Sequence, residues 1–277
     1  MPASELTDLS RCAVHTITTK PWPIETAIEA YASAGIGGIT VWRDALEGRD
    51  LDGVRVHIRD AGLKTVALVR GGFFCYGTAE EREAALADNR KAIQEAAAIG
   101  APMVVLVCGA RPEQSLAVNR QQIQDGIGAL LPDAKAAGVQ LAIEPLHPMY
   151  ADNRSAVNTL KSANELAESF NCAEVGVAVD VYHLWWDPDL EEQIVRCGKN
   201  GNLSAFHVCD WKTPTEDFLL DRGLMGEGCI DIRGIREVVE RAGFSGFNEV
   251  EIFSTRRWAG DQGEWLKQIT DAYLVAV

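Results

Sequence analysis

Four polar side chains stand at the ends of four successive apolar runs in this chain. They are Glu144 after "LAI", Asp180 in "VGVAVD", His207 in "LSAFH" and Glu251 in "FNEVE". Three carboxylates and an imidazole brought to one point repel one another when nothing lies between them. A divalent cation removes that repulsion. An oxygen-rich set with a single nitrogen suits Mn²⁺ first, and Mg²⁺, Co²⁺ or Zn²⁺ as alternatives. The four residues therefore read as the ligands of one divalent metal ion.

The spacing within each run supports this. Side chains two apart along a strand share a face. Two before Glu144, Asp180 and His207 stand Ala142, Ala178 and Ala205. The intervening positions are bulky: Leu141, Ile143, Val177, Val179, Phe206 and Val208. The bulky residues are expected to face surrounding helices, with the polar ones inward at one level. The last run carries both Glu249 and Glu251 on that inner face. One of them must lie deeper and find a partner, because an unpaired buried carboxylate is costly. Glu251 takes the upper level, being nearer the strand's end.

A second ring of candidates surrounds these four. His147 follows Glu144 by three residues, past Pro145, and His183 follows Asp180 by three. Each imidazole can hydrogen-bond a bound hydroxyl or move a proton near neutral pH. "LLDRGLMGEGCID" offers Arg222 as an inward-reaching cation, and Gly226 and Gly228 permit a tight turn. His15, Lys20, Trp22, Trp42, Arg43 and Arg70 follow the first three runs and are expected to rim the same mouth. Rings and cations there suit a polyhydroxylated ligand. Trp185 and Trp186 fit either a sugar pocket wall or a subunit interface.

These residues need a scaffold that brings strand ends together. Apolar, β-branched runs recur at residues 12–17, 36–42, 64–69, 103–107, 139–143, 175–181, 203–208 and 247–253. Helical spacing fills the gaps, as at 25–34, 79–99, 114–137, 155–170 and 232–242. Helical stretches close on Ala34-Gly35, Ala61-Gly62, Ile99-Gly100, Ala137-Gly138 and Ala242-Gly243, where glycine suits the left-handed turn after a helix. Alternating strand and helix implies a parallel sheet. Eight units without a break fit a closed (β/α)₈ barrel of ~250 residues, with its active site at the C-terminal ends of the strands. The first turn, "HTITTKPWP", lacks the glycine-rich phosphate loop of an open doubly wound sheet. Residues 1–277 are read as a single (β/α)₈ TIM barrel domain.

Composition narrows the partners. The chain has 26 Lys and Arg against 40 Asp and Glu, a formal charge of −14, which disfavours nucleic acid and anionic membranes. No apolar run approaches the ~20 residues of a membrane span, and "MPASELTDLS" has no signal-peptide pattern. Seven cysteines without a Cys-x-x-Cys pair read as reduced thiols of a cytoplasmic protein.

The motifs "IEPLHP", "DVYH", "FHVCD" followed by "RGLMGEG", and "VEIFS" together resemble the xylose-isomerase-like barrel superfamily of sugar isomerases and epimerases. The resemblance runs from about Cys12 to the last helix. It implies that Glu144, Asp180, His207 and Glu251 bind one divalent metal, with His183 and Arg222 on the substrate. The implied reaction is proton abstraction beside a carbonyl of a sugar or keto-sugar through a metal-stabilised enediolate. Glu144 and Glu251 inherit the acid and base roles. His147 departs from the ketose epimerases and looks more like the metal-dependent lyases of this fold. Under that alternative the enzyme is a lyase or dehydratase of 3-keto-glycosides or keto-inositols, with His147 as base.

The same barrel serves abasic-site endonucleases, but five histidines and the acidic charge set that reading aside. A non-catalytic accessory subunit would not need the full ligand set. A homo-oligomer, or assembly with a partner subunit, is expected.

Overall fold

The computed structural model describes residues 6–277. The first half of the stretch read for a signal sequence lies outside the described residues. Eight strands close a barrel in sequence order: β1 Cys12–His15, β2 Gly38–Trp42, β3 Lys64–Gly72, β4 Met103–Val107, β5 Gln140–Glu144, β6 Val175–Asp180, β7 Leu203–Val208 and β8 Asn248–Val250. Each pairs in parallel with both neighbours, and β8 returns to β1. The expected (β/α)₈ barrel is therefore observed.

A helix follows every strand because a parallel crossover needs one. The local sequence explains where these helices start and stop. Thr78 caps Ala79–Ile99 through Glu81 in a capping box, and Gly100 ends it at φ +76°. Ser115 caps Leu116–Ala137, and Gly138 ends it at φ +65°. Among the described residues no helix is long and apolar enough to cross a membrane. All seven cysteines are free.

The alternation of small and bulky residues builds two distinct cores. Ala67, Val69, Val105, Ala142, Ala178 and Ala205 form a compact cluster inside the barrel, with Trp42 and Met103 against it. Leu141, Ile143, Val177, Val179, Phe206 and Val208 belong to the larger core between strands and helices. Small residues below the polar ends leave room for those ends to converge.

Several strands differ in extent from their sequence pattern. β1 stops at His15 because Thr16–Thr19 turns into a 3₁₀ helix. β6 stops at Asp180, whose carboxylate accepts from the Tyr182 amide at 2.7 Å and opens the short helix Val181–Leu184. β8 is only three residues long, yet the chain beyond it is pinned. The Glu251 amide donates to the Val208 carbonyl, and Thr18 Oγ1 donates to the Val250 carbonyl while accepting from the Ile252 amide. Glu251 is thus fixed by two neighbouring segments despite lying past the strand.

Candidate metal centre

Ligand atoms of Glu144, Asp180, His207 and Glu251 all lie within 4.8 Å of one another, and all four residues are buried. The strand register produces this. Asp180 pairs with His207 across β6 and β7, and His207 with Glu249 across β7 and β8. His207 Nδ1 faces Glu144 Oε1 at 2.9 Å. Its Nε2 points the other way, 3.9 Å from Glu249 Oε1, and has no hydrogen-bond partner among the described residues.

This donor set fits a divalent cation. Nδ1 stands among three carboxylates, and Glu249 lies on the side of Nε2 where the ring's other proton belongs when Nδ1 binds a metal. Among hard and borderline cations, one nitrogen with three carboxylates accommodates Mn²⁺, Mg²⁺, Co²⁺ and Zn²⁺ alike.

Charge explains how the cluster stays folded. Burial disfavours the His207 cation, but the Glu144 hydrogen bond and the Glu249, Glu144 and Glu251 charges raise its pKa to about 10. Burial drives Asp180 up to about 7; Glu251 and Glu144 reinforce this, against the pull of Arg222. Glu251 is held below the usual carboxylate range, because His15 and Arg222 outweigh its burial. Arg222 Nη1 donates to Glu251 Oε2 at 2.8 Å and reaches Asp180 Oδ2 at 3.4 Å. Its Nη2 lies 3.3 Å from His183 Nε2. Burial and the Arg222 charge push His183 well below its ordinary value, so that ring is neutral.

Glu249 is the deeper carboxylate. Thr40 Oγ1 donates to its Oε2 at 2.5 Å, and His15 Nε2 lies 3.4 Å away. His15 and Thr40 together supply the partner that a carboxylate inside the barrel requires.

The cluster floors a cavity of about 600 Å³. Lys20, Trp42 and Arg70 line it, as do His183 and Arg222. Arg43 lines it too, but is tied to Glu95 at 2.6 Å and Asp88 at 2.9 Å. His15 does not reach the mouth. It is fully buried, with Nδ1 3.0 Å from Glu251 Oε1 and 3.2 Å from the Trp42 indole nitrogen and Nε2 3.4 Å from Glu249 Oε2, because the last residue of β1 points inward below the turn. Trp22 lines a separate hollow beside Pro21 and Pro23.

His147 is also displaced from the cavity lining. Its Nδ1 accepts from the Met149 amide at 3.2 Å, and its ring lies 5.3 Å from Trp211 and 5.5 Å from Trp186. Pro145 and Pro148 direct the chain outward there. Trp185 and Trp186 join this aromatic group and do not wall the cavity.

The sequence reading missed Asp210. Its carboxylate accepts from the amides of Gly226, Gly228 and Ile230 at 2.8–3.0 Å and so shapes the loop that presents Arg222. A Cβ on Gly228 would fall 2.1 Å from the Trp211 carbonyl. The Asp in "FHVCD" with glycines downstream was the available signal. Tyr150 and Arg154, which line the cavity from the loop after β5, carried none.

The chain belongs to the xylose isomerase-like TIM barrel family, whose model matches residues 28–269. Comparison with curated sequences gives no significant match. Among solved structures, a protein from Sinorhizobium meliloti 1021 is 44% identical, with a TM-score of 0.93 over 97% of this chain and 99% of that one. The IolI protein with a bound zinc atom is 20% identical, with a TM-score of 0.83 over 96% and 98%. The 3-keto-D-glucoside 4-epimerase of E. coli is 17% identical, with a TM-score of 0.76 over 95% and 98%.

Proposed function

We propose that the protein is a divalent-metal-dependent isomerase or epimerase of a sugar or keto-sugar. One observation carries this reading: two cavity-facing carboxylates, Glu144 and Glu251, converge with Asp180 and His207 at the floor of a sugar-sized cavity. The similarity in fold to a 3-keto-glucoside epimerase and to a zinc-containing IolI protein supports it. Mn²⁺ is the proposed ion, with Mg²⁺, Co²⁺ or Zn²⁺ as alternatives. When bound by Glu144, Asp180, His207 and Glu251, the ion supplies Lewis-acid stabilisation of negative charge developing on a carbonyl oxygen.

The remaining work falls to the chain's own side chains. Glu144 and Glu251 are the pair proposed to take a proton from the carbon beside the carbonyl and return one to it. His15 and Arg222 hold Glu251 in the ionised form that can take up a proton. Neutral His183, beside Arg222, is suited to orient a substrate hydroxyl. Leu146, Val107, Val69 and Phe253 surround the floor and limit water there.

The lyase reading, with His147 as base, has less support, because that ring is turned into the aromatic group beside the cavity. The test uses protein purified without chelator and incubated with ketoses in D₂O. Deuterium should enter at the carbon beside the carbonyl and fail to enter with Glu144→Gln or Glu251→Gln. No exchange in wild type after reloading with each of the four ions would overturn the proposal.

A further inference from the structure

Four arginines line the cavity, and two of them are neutralised by carboxylates. Arg222 is bound to Glu251 and Asp180, and Arg43 to Asp88 and Glu95. Arg70 and Arg154 line the same cavity and, among the described residues, make no ion pair and no side-chain hydrogen bond. In a chain of net charge −14, two half-buried guanidiniums with no carboxylate in ion-pair contact are unexpected.

Both are held in place by ring faces instead. The Arg70 guanidinium carbon lies 4.2 Å from the Phe73 ring centre, and that of Arg154 lies 5.6 Å from the Tyr150 ring centre. Stacking fixes a guanidinium while leaving its N–H edge free to donate. The two also feel each other's charge. Burial first, then Arg154 and Arg43, lower the pKa of Arg70, and the more distant charges of Asp88 and Asp44 oppose this without reversing it. Like charges facing one cavity are relieved by an anion between them, the same argument that assigns a cation to the carboxylates below. Among the described residues the only unpaired acid lining that part of the mouth is Asp44, which is exposed at the rim.

We infer that Arg70 and Arg154 form an anion clamp, so that the substrate is a keto-sugar carrying a carboxylate or a phosphate away from its reacting carbonyl. The clamp rests on the proposed function for its sugar, but not for its anion. Arg70 lies two residues before the end of β3 and Arg154 in the loop after β5, and both line the same cavity. The anion sits there while the carbonyl end reaches Glu144 and Glu251. The clamp selects substrates by charge, as bidentate guanidinium contacts do for carboxylates and phosphates.

The test compares metal-loaded wild type with Arg70→Gln and Arg154→Gln, and with Arg154→Lys as the conservative control. Metal content and thermal unfolding confirm that each variant is folded. Inorganic phosphate and acetate are titrated first by calorimetry, then D-fructose 6-phosphate, D-fructuronate and D-fructose. One or both charged ketoses should bind at least about tenfold more tightly than D-fructose, an energy of about 1.4 kcal/mol. Each glutamine variant should lose most of that advantage and keep its metal, and Arg154→Lys should retain part of it. Preference among the two charged ketoses assigns phosphate or carboxylate. Equal binding of D-fructose in wild type, or an advantage surviving in both glutamine variants, would overturn the clamp. Arginine-dependent binding of phosphate or acetate without deuterium exchange in any ketose would leave the clamp standing and overturn the proposed function.

Discussion

Glu249 and Glu251 are held by opposite nitrogens of one imidazole. His15 Nε2 lies 3.4 Å from Glu249 Oε2, and His15 Nδ1 lies 3.0 Å from Glu251 Oε1. Burial opposes a charge on this ring, yet the two carboxylates raise its pKa. The bridging ring fixes the two carboxylates at different depths, so Glu251 reaches the cavity and Glu249 stays behind His207.

In the proposed metal site that arrangement casts Glu249 as a support rather than a ligand. Glu249→Gln should keep the contact with Thr40 but lose the charge facing His15 and His207. Metal affinity should fall by about 10–100-fold, the usual cost of removing an outer-shell partner. Glu251→Gln, which removes a ligand, should reduce bound metal far more. Competition with a fluorescent chelator measures both. Equal affinity in wild type and Glu249→Gln would mean that Glu249 only fills space.

Protons and metal should compete in this site. With His207 raised to about 10 and Asp180 to about 7, both bind protons in the metal-free protein at neutral pH or just below it. Metal binding must release them. Affinity should therefore rise by about tenfold per pH unit from pH 7 to 9, and more steeply below pH 7. Stability of the metal-free protein should move the opposite way. Both folded pKa values lie above their unfolded ones, so the folded state binds more protons and loses stability as pH rises through these windows. Melting temperature with chelator should fall between pH 6 and 9, while the melting temperature with excess metal should not. A parallel fall in both would contradict the assignment.

His147 separates the two chemical readings. Its Nδ1 is occupied by the Met149 amide, its ring lies against Trp186 and Trp211, and burial lowers its pKa. His147→Ala should keep the metal and retain most of any isomerase turnover. Its stability should fall by about 1 kcal/mol from lost packing. Loss of nearly all turnover, with metal intact, would restore His147 as the base and favour the lyase.

The barrel and the four residues that converge at its mouth were legible because both follow from a period of two. Ala142, Ala178 and Ala205 beneath polar residues announced a narrow interior, and bulky alternates announced the helical layer. What was not legible depends on contacts distant in sequence. Nothing near His15 indicates that β1 ends beside β8, where Glu249 and Glu251 claim both its nitrogens. Nothing near His147 reveals Trp211 from the loop after β7. Arg154 carried no signal, since its place in the cavity depends on how the loop after β5 folds back on Tyr150.

The two cores should respond differently to substitution. Phe206 packs toward the helices, and Phe206→Ala should cost about 3–5 kcal/mol through the space it leaves. The folded fraction should still bind metal normally, because the inner face is untouched. Ala205 lies beneath His207 in the barrel interior, fully buried against Ala178 and its neighbours. Ala205→Leu should cost about 1–3 kcal/mol through overpacking. It should also weaken metal binding, because the added methyl groups must push against the layer that carries His207 and Asp180. Denaturant unfolding gives the first pair of numbers and chelator competition the second. The decisive comparison is metal affinity per folded molecule. If Ala205→Leu is destabilised and binds metal as tightly as wild type, the interior layer does not set the height of the ligands. If Phe206→Ala loses metal as well, the two cores are not mechanically separate.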